Sequence, residues 1–218
     1  MPEAVYLLYA INKIGAIANM LVMNATEAEI HEKLAVTESK VVITVDLALE
    51  KIEQASRETS VKHIIGVSLA ESMPCVIGTL YKWKSKIKQE NCILFSEFLK
   101  AGQGKKIDCQ EIKADAPAVI AYTGGTTGKA KGVLLSNRAA NTIAFQYKYA
   151  DKVLDFQNGE RFLDTIPPFL AYGLFLGVHM VLCVGLENIL CPDPTAEHFP
   201  QQFLKYKPNH LSGGALHI

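Results

Sequence analysis

Apolar positions along this chain recur in two periods, one near three and a half residues and one of two, and the periods alternate. Val5, Leu8, Tyr9, Asn12 and Ala16 repeat at three- and four-residue intervals, so residues 3–20 are expected as an amphipathic helix that becomes fully apolar toward its end. Thr26 and Glu29 have capping-box spacing and predict a second helix reaching about Glu38. The β-branched run Val41 to Val45 reads as a buried strand, followed by a helix from Leu47 to about Arg57 and a strand from Val61 to Val67. Between Lys100 and Ala116 the chain turns polar, with Gly102, Gly104, Lys105 and Lys106 close together, which marks a connecting segment or subdomain boundary at 100–116. Next come a strand from Ala118 to Tyr122, a loop without large side chains, and a short strand from Val133 to Leu135. Ser136 or Asn137 caps a helix with Ile143, Tyr147 and Ala150 on one face. A strand around Phe162 to Ile166, a buried helix from Tyr172, a strand near Asn188 to Leu190 and a helix opened by Asp193 and Pro194 complete the order. Such alternation predicts an α/β fold with mixed, largely parallel sheets flanked by helices.

Composition narrows the function classes. The 218 residues are 49% hydrophobic and 20% charged, enough to bury a sizeable core without disulfides or metals. Lys and Arg number 22 and so do Asp and Glu, a balance that argues against a nucleic-acid or anionic-membrane binder. The five cysteines, Cys75, Cys92, Cys109, Cys183 and Cys191, are odd in number and form no C-x-x-C pair, which reads as reduced thiols in a cytoplasmic protein. His179 lies inside an apolar stretch, where a hydrogen-bonded core histidine is expected in preference to a metal ligand. The longest apolar run, Tyr172 to Leu186, is interrupted by His179 and falls short of the roughly 20 residues a membrane span needs. The apolar stretch Ile14 to Met23 lacks a basic start and a small-residue cleavage site, so it reads as part of the fold and not as a signal peptide.

The chemistry concentrates in one loop. Residues 123–133 read Thr-Gly-Gly-Thr-Thr-Gly-Lys-Ala-Lys-Gly-Val. Bare backbone amides curl around an anion, threonine hydroxyls donate to phosphate oxygens or hold a metal, and lysines supply charge. The charge pattern agrees: no acidic residue falls between Asp115 and Asp151, where the chain's average acidic content would give about 3.5, while Lys129, Lys131, Arg138 and Lys148 all do. A mobile solvated hairpin is the plain alternative. A Walker A loop is not met, since Thr123 stands where its first glycine belongs and Ala130 where its Ser or Thr belongs. No G-x-G-x-x-G is present, nor a G-x-S-x-G elbow, because Ser212 in HLSGG lacks the preceding glycine.

The segment Tyr122 to Val133, YTGGTTGKAKGV, resembles the phosphate-binding signature of the adenylate-forming superfamily, usually Y-T-S-G-T-T-G-x-P-K-G-V, with Gly124 in place of Ser and Ala130 in place of Pro. That superfamily includes acyl-CoA synthetases, adenylation domains of peptide synthetases and luciferases. Two further stretches are similar to the acyl-CoA synthetase branch: the opening PEAVYLLYAINKIGAIANML, and PPFLAYG at Pro167 to Gly173, which resembles a P-x-F-H-x-x-G motif near the acyl pocket. Leu170 replaces the usual His of that motif.

The resemblance implies ATP-dependent activation of a carboxylic acid, a fatty acid by its branch, to an acyl adenylate and then to an acyl-CoA. It implies that the backbone of Gly124, Gly125 and Gly128 meets the β- and γ-phosphates of ATP, with Thr123, Thr126 and Thr127 as hydroxyl donors and Lys131 as the motif's lysine. Lys129 falls at a variable position and is expected to face solvent; Thr126 or Thr127 would touch Mg. Phe169, Leu170, Tyr172 and Gly173 become candidates for the acyl pocket, with ordinary core packing as the alternative reading for each. The family's Tyr-Gly-x-Thr-Glu motif and its C-terminal lid domain with the adenylation lysine do not occur in residues 1–218, so no catalytic residue is assigned. The chain is thus expected as an incomplete N-terminal AMP-binding domain, inactive alone. A nucleotide- or phosphate-binding module without catalysis is the second reading, and a divergent NTPase ranks third.

Overall fold

The computed structural model describes the chain except for residues 23, 74–77, 80, 82–91, 108–110, 124–129, 151–154, 192–194 and 215–218. Contacts divide it into two compact units, Met1–Met20 with Cys109–Ile218, and Leu21–Asp108. Among the described residues, helices alternate with small sheets in which all strand pairs but one are parallel, as the alternating pattern predicts.

The second unit contains helix α2 (Glu27–Val36), strand β2 (Val41–Val45), helix α3 (Leu49–Ala55), strand β3 (His63–Val67), strand β4 (Ile93–Leu94) and helix α4 (Phe95–Gly102). Its sheet has the order β2-β3-β4, all parallel. Thr26 caps α2 through a complete capping box: its hydroxyl accepts from the Glu29 N–H, and the Glu29 carboxylate accepts from the Thr26 N–H at 2.7 Å. Ile30 and Leu34 of α2 pack with Val42, Ile52 and Ala55 to form this unit's core. The helix α4 and the short β4 have no counterpart among the sequence expectations. Residues 95–102 bury only Phe95.

The first unit begins with helix α1 (Pro2–Lys13), which departs from the expected span of 3–20. Gly15 adopts a positive φ of 73°, which ends the helix, and Ala18–Asn19 continue as strand β1. The apolar run after Lys13 therefore reflects a strand entering the core and not a helix deepening into it. β1 pairs in parallel with β5 (Pro117–Tyr122), and β5 pairs antiparallel with β6 (Gly132–Ser136). Ser136, one of the two expected caps, accepts from the Ala139 N–H and opens helix α5 (Asn137–Lys148). Ala18, Ala118, Val119, Ala121 and Ala140 form a core of small residues, closed by Leu174 and Phe175.

A second sheet of this unit has the order β8-β7-β9, all parallel, from β7 (Arg161–Asp164), β8 (Glu187–Leu190) and β9 (His210–Ser212). Between β7 and β8 runs a buried π-helical stretch, Gly173–Met180, continued by the α-helical turn Val181–Cys183; together they are α6. Leu174, Val178, Met180 and Val181 are almost wholly buried. Gly173 and Gly177 make this packing possible. A methyl at Gly173 would stand 2.5 Å from the carbonyl oxygens of Ile166 and Pro167, and one at Gly177 would collide with the Asp164 carboxylate. Helix α7 (Phe199–Tyr206) follows a single 3₁₀ turn, Ala196–His198; the expected opening at Asp193 and Pro194 lies outside the described residues.

Candidate functional site

The Gly/Thr-rich loop joins β5 to β6, so its two feet belong to one antiparallel pair. Gly124, Gly125, Thr126, Thr127, Gly128 and Lys129 lie outside the described residues. At the neck the Thr123 N–H donates to the Lys131 carbonyl at 3.0 Å, and the Lys131 N–H donates to the Thr123 hydroxyl oxygen at 3.3 Å. These bonds add one rung beyond the last strand pair, Tyr122 with Gly132. A hydroxyl carries one donor and two acceptor positions, so Thr123 keeps its O–H free to donate while it holds the neck. Thr123, Lys131 and Gly132 are exposed.

Tyr122 and Gly132 work as a pair. A methyl at Gly132 would approach the Tyr122 ring to 3.2 Å and Ile120 to 3.1 Å, so the ring lies over bare backbone at the base of the loop. The Tyr122 hydroxyl donates to the Asn19 side-chain oxygen at 2.9 Å, which ties β1 to the neck. Burial pushes the Tyr122 phenol above its usual range, opposed by the Asn19 bond, and the group stays neutral.

The acid-free window is less basic than its residue count suggests. Arg138 donates from Nε and from a terminal nitrogen to both oxygens of Asp115, at 2.5 and 2.9 Å. Asp115 is the residue that bounds the window, and the Arg138 hydrogen bond holds its carboxyl below the usual range. The Arg138 charge is therefore matched in place, which leaves Lys131 and Lys148 as the window's other described cations. Among the described residues no three His, Cys, Asp or Glu side chains converge on a metal position.

The second motif sits at the C-terminal end of β7. Leu170 and Tyr172 are exposed, Phe169 is half-buried and Gly173 is buried. Tyr172 lines an open cleft of about 210 Å³ with Tyr147, Phe156, Phe162, Leu176 and the β9 residues His210 to Ser212. Phe169, Leu170 and Gly173 are absent from its lining. His210 is fixed there by its Nε2 contact with the Glu160 carboxylate at 2.7 Å and by the edge-on ring of Phe156, 4.8 Å between centroids. Gly173 has a packing reason for being glycine, the close approach to Ile166 and Pro167.

His179 behaves as the histidine expected from its apolar surroundings. Its Nε2 lies 3.1 Å from the Asn141 side-chain oxygen and its Nδ1 3.0 Å from the Tyr9 hydroxyl. Because the Asn oxygen only accepts, Nε2 carries the hydrogen and the Tyr9 O–H donates to Nδ1. Desolvation lowers the His179 pKa, and the same burial pushes Tyr9 up to about 12. Sequence reasoning passed over a buried group at the end of β7: Asp164 and Thr165, each hydrogen-bonded to the buried Ser212. The signal was available, an aspartate and a threonine directly after the apolar Phe162 and Leu163 and before Pro167.

Comparison with known proteins decides the family. The profile of the AMP-binding enzyme family matches residues 1–213. The chain belongs to that family. It is 29% identical to a long-chain-fatty-acid–CoA ligase of Bacillus subtilis over 97% of its length, and 25% identical to a Haemophilus influenzae protein of the same name over 94%. It spans 39% of the length of each of these relatives. The crystal structure of an anthranilate CoA ligase in complex with anthranoyl-AMP superposes with a TM-score of 0.79 at 19% identity, covering 97% of this chain and 38% of the other, which shows a shared fold.

Proposed function

We propose that this chain forms the phosphate-binding part of an enzyme that activates a carboxylic acid with ATP and transfers the acyl group to CoA. The reading rests on one observation: the loop that resembles the family signature springs from a clamped neck with Thr123 and Lys131 as its feet. A closed neck presents the intervening amides and hydroxyls from a fixed base, which suits an anion that must be held in one geometry. In this reading Gly124, Gly125 and Gly128 offer backbone N–H groups to the β- and γ-phosphates. Thr123, Thr126 and Thr127 donate hydroxyl hydrogens, Thr126 or Thr127 meets Mg, and Lys131 offsets charge as pyrophosphate departs.

The acid carboxylate attacks the α-phosphate, and the CoA thiol then displaces AMP from the acyl adenylate. A fatty acid is the proposed substrate, on the names of the two relatives. Tyr172 is the acyl-pocket candidate with most support, because it lines the aromatic cleft; Phe169, Leu170 and Gly173 belong to the same segment. The chain is proposed as part of a larger N-terminal domain with a subdomain boundary within 100–116. Cytoplasmic placement is proposed from the odd number and wide spacing of the five cysteines, which form no C-x-x-C pair.

Calorimetric titration of the chain with MgATP and with pyrophosphate tests the loop. A Lys131→Ala, Thr126→Ala variant is expected to bind each at least tenfold more weakly, and equal affinity overturns the assignment. Phosphate binding without any acid-dependent exchange of pyrophosphate into ATP in the longer protein would favour the non-catalytic module instead.

A further inference from the structure

Asp164 ends β7, the central strand of its sheet, and is 3% exposed. Its Oδ1 accepts the Ser212 hydroxyl at 2.9 Å and the Ile166 N–H at 3.2 Å. Its Oδ2 is buried without a partner and is pressed against Gly177, where even a methyl group would collide with it. A second orphaned acceptor flanks the same glycine: Asn188 donates from Nδ2 to the Gly177 carbonyl at 2.7 Å, while its Oδ1 is buried and unpartnered. Two buried acceptors around one glycine cost stability unless a hydrogen is supplied, and protonation of the carboxyl supplies one on Oδ2.

We propose that Asp164 is a proton-dependent positioning residue. With a proton on Oδ2 its carboxyl stays buried and pins Ser212, so that the end of β9 holds one wall of the aromatic cleft; loss of the proton loosens that wall. Thr165 completes the clamp by donating to the Ser212 carbonyl at 2.6 Å. The looser partner is β9 and not the helix, since β9 has three residues and Gly177 is flanked by the wholly buried Val178. An unpartnered charge is therefore hydrated by opening at residues 211–213. The inference stands whatever the cleft binds.

Burial raises the Asp164 carboxyl to about 6, opposed by the bonds from Ser212 and Ile166, with no charged group among the causes. The ionisable groups on the packed elements are engaged elsewhere. Arg161 and Glu187 pair with each other at the other end of the sheet, His210 pairs with Glu160, and His179 bonds Tyr9 and Asn141; Cys191 follows β8 and donates its N–H to the Asp164 carbonyl. Because the closed state holds its proton more tightly than an open one, closure is fully favoured below the ordinary aspartate value and weakens as pH rises through about 6.

The test combines the Asp164 carboxyl ¹³C titration with amide exchange at Leu211 to Gly213. Each exchange rate is compared with Asp164→Asn, which keeps the acceptor and places permanent hydrogens at the second position. The expected midpoint is near 6, and protection in the native chain should fall about tenfold relative to the variant between pH 5 and 7.5. Ser212→Ala removes a bond that favours the ionised form and should move the midpoint upward. A midpoint near 4, a native-to-variant protection ratio that is flat with pH, or a Ser212→Ala midpoint unmoved or lowered overturns the proposal. Should Asp164→Asn fail to fold, the native titration and Ser212→Ala decide it alone.

Discussion

Gly173→Ala is the sharpest probe of how α6 meets the end of β7. The new methyl would lie 2.5 Å from two carbonyl oxygens, those of Ile166 and Pro167, roughly 1 Å inside ordinary contact. Backbone carbonyls cannot rotate aside as a side chain does, so the helix must shift, and its Leu174, Val178 and Met180 are almost fully buried. Overpacking of this kind costs about 1–3 kcal/mol, and two backbone clashes place Gly173 near the upper end. Alanine returns up to about 1 kcal/mol of helix preference, leaving a net loss of about 2 kcal/mol. For a chain of this size that lowers Tm by about 4–8 °C. The assay is urea and thermal unfolding of the purified chain, with Gly177→Ala as the paired control. There the clash is with the Asp164 side chain, so adding Asp164→Ala should restore at least about 1 kcal/mol of what Gly177→Ala loses, while no second change at Asp164 rescues Gly173→Ala. A Gly173→Ala chain as stable as the native one, or additivity within about 0.5 kcal/mol in the Gly177 cycle, would refute the packing argument. The first result would also return Gly173 to the acyl pocket as its reason for being glycine.

Other outcomes follow from the same geometry. Thr26→Ala should destabilise the unit Leu21–Asp108 by about 1 kcal/mol in urea melts, because the cap that accepts from Glu29 is lost. Tyr122→Phe breaks the bond to Asn19 and should cost about 1 kcal/mol, seen as faster amide exchange at Met20, whose N–H donates to Ile120 beside that bond. Leu163→Ala empties a wholly buried position in β7 and should cost about 2–5 kcal/mol by equilibrium unfolding.

Elements with strong local signals were legible in the sequence and those set by distant contacts were not. The Thr26–Glu29 box and the β-branched run at Val41 to Val45 act within a few residues, and both appear where the pattern puts them, although the strand expected as buried buries only Val42. The end of α1 did not read correctly, because the apolar side chains from Ile14 to Met20 suit helix and strand equally; pairing of Ala18 and Asn19 with β5, a hundred residues away, makes the choice. The same holds at the loop. Its glycines, threonines and lysines announce anion chemistry, but a residue count cannot show that Arg138 is matched by Asp115, since that depends on where α5 begins. Asp164 escaped notice for a related reason: its burial comes from the approach of Gly177 and Ser212, neither close to it in sequence.

The rung between Thr123 and Lys131 has a thermodynamic consequence. Joining two points of the unfolded chain as far apart as Thr123 and Lys131 costs about 2 kcal/mol of chain entropy, and the β5–β6 pair meets that cost during folding. In the proposed phosphate-binding role, a ligand that meets Thr123 and Lys131 finds these two residues already held together, so none of its contact energy goes into bringing them to each other. Lengthening the loop by a few residues would add little to the closure entropy, whereas unpairing its feet would return the whole of it to the binding step.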